Sequence, residues 1–143
     1  MTLVQAMRAD VPSLGEEASL KEAATQMRQA KCLLALVVSE RGRLIGSLSI
    51  EDLAHRLANS PDPSRRTIRA AVRTDPLCCT IEASLEEVQA LMSSHRELAV
   101  LVTEPGGAVV GVIDVLGVLD ALGPPQRAAG PEPDYVHRVR GDA

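Results

Sequence analysis

Apolar residues along the chain follow two rhythms. Leu20, Ala23, Ala24, Met27 and Ala30 recur every three or four positions, and so do Leu85, Val88, Leu91 and Met92. That spacing puts one apolar stripe on a helix. Each stripe opens on a serine, Ser19 or Ser84, with a glutamate three residues on, Glu22 or Glu87. The S-x-x-E arrangement predicts a capping box at both helix starts. Short unbroken aliphatic runs follow at 33–38 and 98–102, and such runs predict strands covered on both faces. Glycine-bearing turns come next, "SERGR" at 39–43 and "TEPGG" at 103–107. They lead into second strands at 44–48 and 109–113 and closing helices at 50–57 and 115–122. Short extended pieces at 12–14 and 77–81 precede the striped helices. The order is β-α-β-β-α, and it occurs twice.

The two halves are copies. A shift of 65 residues lays 8–57 on 73–122 without a gap, and about a quarter of the positions are identical. The matches include "EASL" at 17–20 and 82–85, Met27 with Met92, Gly42 with Gly107 and Gly46 with Gly111. They fall at helix starts, core positions and turns, which is the mark of a repeated supersecondary unit. The predicted fold class is α/β, with residues 1–57 and 68–122 as the two repeats. "ANSPDPSRR" marks the linker region, 58–67, as a loop by its prolines and serines. Residues 123–143 turn to Gly, Pro and charge and read as a loose tail. Tyr135 and Val136 are the residues there that a partner chain would pack on.

Composition narrows the function. The 143 residues are 45% apolar, yet include one Tyr and no Trp or Phe. Base-stacking platforms need aromatics, and a net charge of −4 opposes a general nucleic-acid footprint. Cys32, Cys78 and Cys79 are an odd set, unlike a disulfide framework or a zinc site, and lie in apolar stretches as core residues. No apolar run reaches the roughly 18 residues of a membrane span, and "MTLVQAMR" lacks the features of a signal peptide. The expectation is a cytoplasmic protein. His55, His95 and His137 are scattered and no nucleophile elbow is present, so an enzyme is not expected.

The ordered motifs resemble a tandem pair of CBS domains over residues 4–122. The resemblance is carried by 13–20, by "ALVVSERGRLIG" at 35–46 and by "GSLSIEDL" at 46–53, with looser counterparts "CCTIEASLEEV" and "VLVTEPGGAVVGVIDV". It implies two repeats packed about a pseudo-two-fold axis. It also implies a regulatory module that binds AMP, ADP, ATP or a related adenosyl ligand between the repeats and requires no cofactor. A homodimer, and an unidentified regulated protein supplied as a separate chain, complete what it implies. A ligand-free dimeric scaffold is the alternative.

The family's ribose motif, G-h-x-[S/T]-x-x-D, matches Gly46, Ser49 and Asp52. An ionised carboxylate only accepts, so Asp52 can take both ribose hydroxyls. A helix start favours anions as well. The plainer reading makes Ser49 an N-cap and Asp52 a favourable first-turn charge. By the same resemblance Ser13, Leu14, Ala35 and Leu36 supply the adenine walls and backbone bonds. His55 and Arg56 stand three and four residues beyond Asp52, near its helical face, as phosphate partners. Arg65, Arg66, Arg69 and Arg73 form the densest basic stretch, either a solvated linker or further cations for phosphate. In the second copy Asp114 and Gly117 replace the serine and the aspartate. That cleft is expected to be empty or to take another ligand.

Overall fold

The computed structural model describes residues 2–121. The expected tail at 123–143, with Tyr135 and Val136, lies outside the described residues. The first half runs α1 (Leu3–Ala6), β1 (Ser13–Gly15), α2 (Leu20–Ala30), β2 (Leu34–Val38), β3 (Leu44–Ser49) and α3 (Ile50–Ala58). A 3-10 turn (Ile68–Ala71) opens the second half, followed by β4 (Cys78–Thr80), α4 (Leu85–His95), β5 (Ala99–Thr103), β6 (Val109–Asp114) and α5 (Val115–Ala121). The architecture is α/β with two β-α-β-β-α repeats. α1 and the 3-10 turn, 65 residues apart, are additions that the apolar pattern did not signal.

Each repeat builds one three-stranded sheet, ordered β1-β2-β3 and β4-β5-β6. The first pair of each sheet is parallel and the hairpin pair antiparallel. Gly42 and Gly107 carry the hairpin turns at φ 77° and 97°, a region that glycine enters without steric cost. Both helices α2 and α4 end on a left-handed residue, Lys31 or Arg96, at φ 53° and 54°. Their starts are half of the predicted device. Ser19 and Ser84 accept from the backbone N–H of Glu22 and Glu87, but no return bond from either glutamate side chain forms. The reciprocal capping box occurs instead at α1, between Thr2 and Gln5.

The continuous apolar strands are covered on both faces, as their sequence requires. Ala35 and Val37 of β2 face the helices of their own repeat, with Met27 and Leu53. Leu34 and Leu36 turn the other way, onto Ala99, Leu101 and Val112 of the second repeat. This shared layer joins the halves.

The opening segments cross over. Leu3 and Ala6 of α1 are buried in the core of the second repeat, beside Val88 and Val118. Ile68 and Ala71 of the 3-10 turn are buried in the core of the first. Backbone pairing follows the same exchange. Arg8 exchanges two bonds with Val112 of β6, and Arg73 exchanges two with Ser47 of β3. These contacts explain two glycines shared by the repeats. A Cβ at Gly46 would run into the Arg73 carbonyl, and one at Gly111 would lie 2.5 Å from the Arg8 carbonyl oxygen.

Candidate functional site

Where β3 ends, the chain enters α3 in one step. Ser49 is extended, at φ −86° and ψ 154°, and its Oγ accepts from the Asp52 N–H at 3.1 Å. The serine is therefore the N-cap of α3. At the matching turn Asp114 is 4% exposed, and its Oδ1 accepts from the Gly117 N–H at 2.8 Å. Both copies need a side-chain oxygen here to satisfy a helix-start donor. Replacing serine by aspartate preserves the cap. It does not by itself abolish a site.

Asp52 is the true difference. Its half-buried carboxylate lies in the first turn of α3, where the helix dipole favours negative charge. Arg73 donates from Nε to Asp52 Oδ2 at 3.0 Å, and its Nη1 donates to Glu97 Oε1 in the second repeat. The hydrogen bond to Glu97, and secondarily that to Asp52, raises the Arg73 pKa above its ordinary value. Arg73 thus ties together α3, β3 and Glu97, two residues before β5. The cleft around it is lined by Leu34, Ser47, Ser49, Pro76, Leu77 and Ala99, besides Arg73 and Glu97. It encloses about 10 Å³, room for about one water.

The other expected residues separate. Ser13 is exposed and stands opposite Leu36 in the β1–β2 register. Leu36 packs on the layer between repeats. Leu14 and Ala35, read from the resemblance as supplying adenine walls and backbone bonds, are 1% and 0% exposed within the helix-facing core. Strand alternation turns their side chains away from the cleft, so only their backbone remains for a ligand. His55 is exposed on α3. Arg56 leaves the cleft altogether, because its guanidinium donates to the Ala70 carbonyl at 3.1 Å. Arg65 pairs with Asp62 and Arg69 with Glu17. Of the basic stretch, only Arg73 reaches the cleft.

Several lining residues were not anticipated. Leu34 and Ala99 are repeat partners, 65 residues apart, on the faces that meet between halves. The alignment of the copies already contained that signal. Glu97 carried none, since its counterpart is the buried Cys32.

Cys32 and Cys79 are buried as expected, but Cys78, expected in the core, is exposed. Desolvation pushes Cys32, Cys78 and Cys79 up from the ordinary thiol range, and reactive cysteines require the opposite shift.

In the second repeat the corresponding place is filled by the chain itself. A Cβ at Gly117 would lie 2.5 Å from the Ala6 carbonyl oxygen, because α1 is packed against α5. A side chain at this position, let alone a carboxylate, has no room.

Comparison with known proteins bears on the family and the fold. The CBS domain family matches residues 3–59 and again 68–123. No curated protein sequence matches the chain. Among solved structures, an uncharacterized conserved protein from Pyrococcus horikoshii is similar at a TM-score of 0.75 and 20% identity, over 87% of this chain and 93% of that one. The CBS domain pair of protein MJ0100, in complex with 5′-methylthioadenosine and S-adenosyl-L-methionine, aligns at 0.73 and 20% identity, over 86% and 100%. The cytosolic domain of the Mg²⁺ channel MgtE, in complex with ATP, aligns at 0.61 and 27% identity, over 80% of this chain and 46% of that one. With a family match to each repeat and a shared layer between the repeats, the chain belongs to the CBS domain family, as a tandem pair.

Proposed function

We propose that this CBS pair senses an adenosyl ligand at Asp52 and signals its presence by releasing Arg73. A CBS pair is a regulatory ligand-binding module, and on our reading this one is not an enzyme. The observation that carries the proposal is the single guanidinium shared by Asp52 and Glu97. A ribose diol would occupy the same Asp52 oxygens. Its arrival would free Arg73 to swing out, open the small cleft and loosen one link between the repeats. A separate partner protein would read that change.

Charge narrows the ligand. Glu97 lines this cleft and Asp52 reaches it through its bond to Arg73, so two carboxylates outweigh the one cation, while Arg56 is turned to the Ala70 carbonyl and His55 does not line it. An adenosyl compound with little or no negative charge suits the cleft better than AMP, ADP or ATP. One neighbour was crystallised with 5′-methylthioadenosine and S-adenosyl-L-methionine and another with ATP, so the order rests on the charge of this cleft.

Melting with each compound tests the reading. At 100 times its Kd a ligand adds about 2.7 kcal/mol of stability. 5′-Methylthioadenosine is expected to stabilise more than ATP at equal concentration. Asp52→Ala is expected to weaken its binding by about ten- to a hundredfold, the value of hydrogen bonds to a charged group. If no adenosyl compound raises the melting temperature, the pair is a scaffold, a reading that the nearly closed cleft favours. In either case we expect a homodimer. The apolar groove between α2 and α3, about 340 Å³ and lined by Ala24, Met27, Ile50, Leu53 and Leu57, would take a second copy. Light scattering that gives a monomer mass at micromolar concentration would remove the dimer.

A further inference from the structure

The phosphate-binding chemistry that the basic stretch suggests is assembled elsewhere. A cavity of about 420 Å³ lies at the far end of α3, bounded by Arg56, Asn59 and Ser60 on one side. Arg66, Thr67, Arg69 and Ala70 bound the other side, and Leu20 completes it. It shares no lining residue with the cleft at Ser49. Three guanidinium groups meet there, in a chain whose net charge is −4. No carboxylate lines the cavity. Glu17 reaches Arg69 from outside, Arg56 is held by the Ala70 carbonyl, and Arg66 pairs with no carboxylate among the described residues.

Two hydroxyls in the cavity are uncommitted. Ser60 Oγ is buried and has no hydrogen-bond partner. Thr67 holds the N-cap position of the 3-10 turn, yet its side chain makes no capping bond. Buried hydroxyls are paired in the great majority of cases, so an orphan needs an explanation. Here the orphan sits beside a cluster of arginines, in a volume within the range of small-molecule pockets. Guanidinium groups bind phosphate oxygens in bidentate fashion, and hydroxyls donate to the oxygens that remain.

We infer that this cavity binds a phosphate-bearing small molecule. Arg66 and Arg69 grip the phosphate, Ser60 and Thr67 donate to it, and Leu20 and Ala70 contact its organic body. The site is independent of Asp52. It places a second ligand against residues 66–70, three positions before Arg73, so its occupancy acts on the segment that leads into the adenosyl cleft.

Titration calorimetry at constant ionic strength tests the inference, with inorganic phosphate, pyrophosphate and glycerol phosphate as probes. At least one probe is expected to bind. Arg66→Gln is expected to weaken it by at least about tenfold. Arg65→Gln removes the same charge from the adjacent residue, outside the cavity, and is expected to leave affinity unchanged. Ser60→Ala is expected to lower affinity without lowering the melting temperature of the free protein, because the lost hydroxyl has no partner there. Asp52→Ala is expected to have no effect, which separates this site from the adenosyl cleft. Tighter binding of glycerol phosphate than of inorganic phosphate identifies an ester as the ligand class, and equal binding identifies free phosphate. The inference is overturned if none of the probes binds at millimolar concentration. It is equally overturned if Arg65→Gln costs as much as Arg66→Gln, or if Asp52→Ala abolishes binding that Arg66→Gln spares.

Discussion

The turn from β3 into α3 and the turn from β6 into α5 share a backbone plan and differ in what they leave open. Each begins on a glycine pressed against the backbone of a crossed-over segment, and each caps its helix with a side-chain oxygen. They part at the third helical residue, Asp52 in one and Gly117 in the other. The cause lies outside the turn. α1 brings the Ala6 carbonyl against Gly117, whereas the 3-10 turn that replaces α1 in the first repeat leaves room for an aspartate. The paired arginines diverge accordingly. Arg8 donates at 2.7 Å to the Lys31 and Ala30 carbonyls, at the end of α2, and is committed to structure. Arg73, its counterpart, holds two carboxylates that a ligand can compete for. One repeat has spent this position on packing, and the other has kept it available.

The shared part of the comparison should break hardest. Gly46→Ala forces a methyl group into the Arg73 carbonyl and opens the Ser47–Arg73 pairing. We expect a loss of about 3 kcal/mol, at the upper end of ordinary point mutations, measured by urea unfolding. Gly42→Ala serves as the control. Its Cβ meets nothing within 4 Å, so only the left-handed backbone is strained, at about 1–2 kcal/mol. Equal losses for the two variants would mean that the crossed-over segment does not depend on the close approach at Gly46.

The asymmetric part is tested by exchange. Gly117→Asp is expected to destabilise by about 2 kcal/mol, as overpacking does, and to create no adenosyl site, since α1 must be displaced to admit it. Asp52→Gly should destabilise less and abolish ligand binding. A stable Gly117→Asp protein that binds two equivalents of 5′-methylthioadenosine would show the second cleft to be merely unfurnished rather than filled.

The apolar rhythm was enough to read the repeats, because each strand and striped helix buries a face within its own unit. α1 and the 3-10 turn were missed for the complementary reason. Leu3 and Ala6, or Ile68 and Ala71, are two buried residues in a four-residue element, too short to show a period, and what stabilises them is the opposite repeat. At the site, the gap-free alignment isolated Asp52 as the residue that differs, and structure agrees. It also paired Ser49 with the difference, and there serine and aspartate, chemically unlike, serve alike as caps. Leu14 and Ala35 show another limit. A motif names positions, but strand alternation decides which side chains see the cleft.

Ser49 can therefore be separated from Asp52 experimentally. Ser49→Ala is expected to cost about 1 kcal/mol through loss of the N-cap. Ser49→Asp, which copies the second repeat, should restore most of that stability. Restoration by aspartate would establish that the hydroxyl is retained for capping. Failure would mean that the cleft tolerates serine for a reason beyond the cap.

The smallest expected effect bears most directly on how a ligand is sensed. Arg73→Gln removes the cation shared by Asp52 and Glu97 while its backbone pairing with Ser47 can persist. Partly exposed ion pairs contribute about 0–1 kcal/mol, so stability should fall by no more than that. Affinity for 5′-methylthioadenosine should rise by up to about fivefold, because the ligand no longer displaces a guanidinium from Asp52. In the double variant Asp52→Ala with Arg73→Gln the gain should vanish, since no carboxylate is left to liberate. Weaker binding in the single variant would instead make Arg73 a contributor to the ligand site rather than its competitor, and the two halves would be coupled by the ligand bridging them.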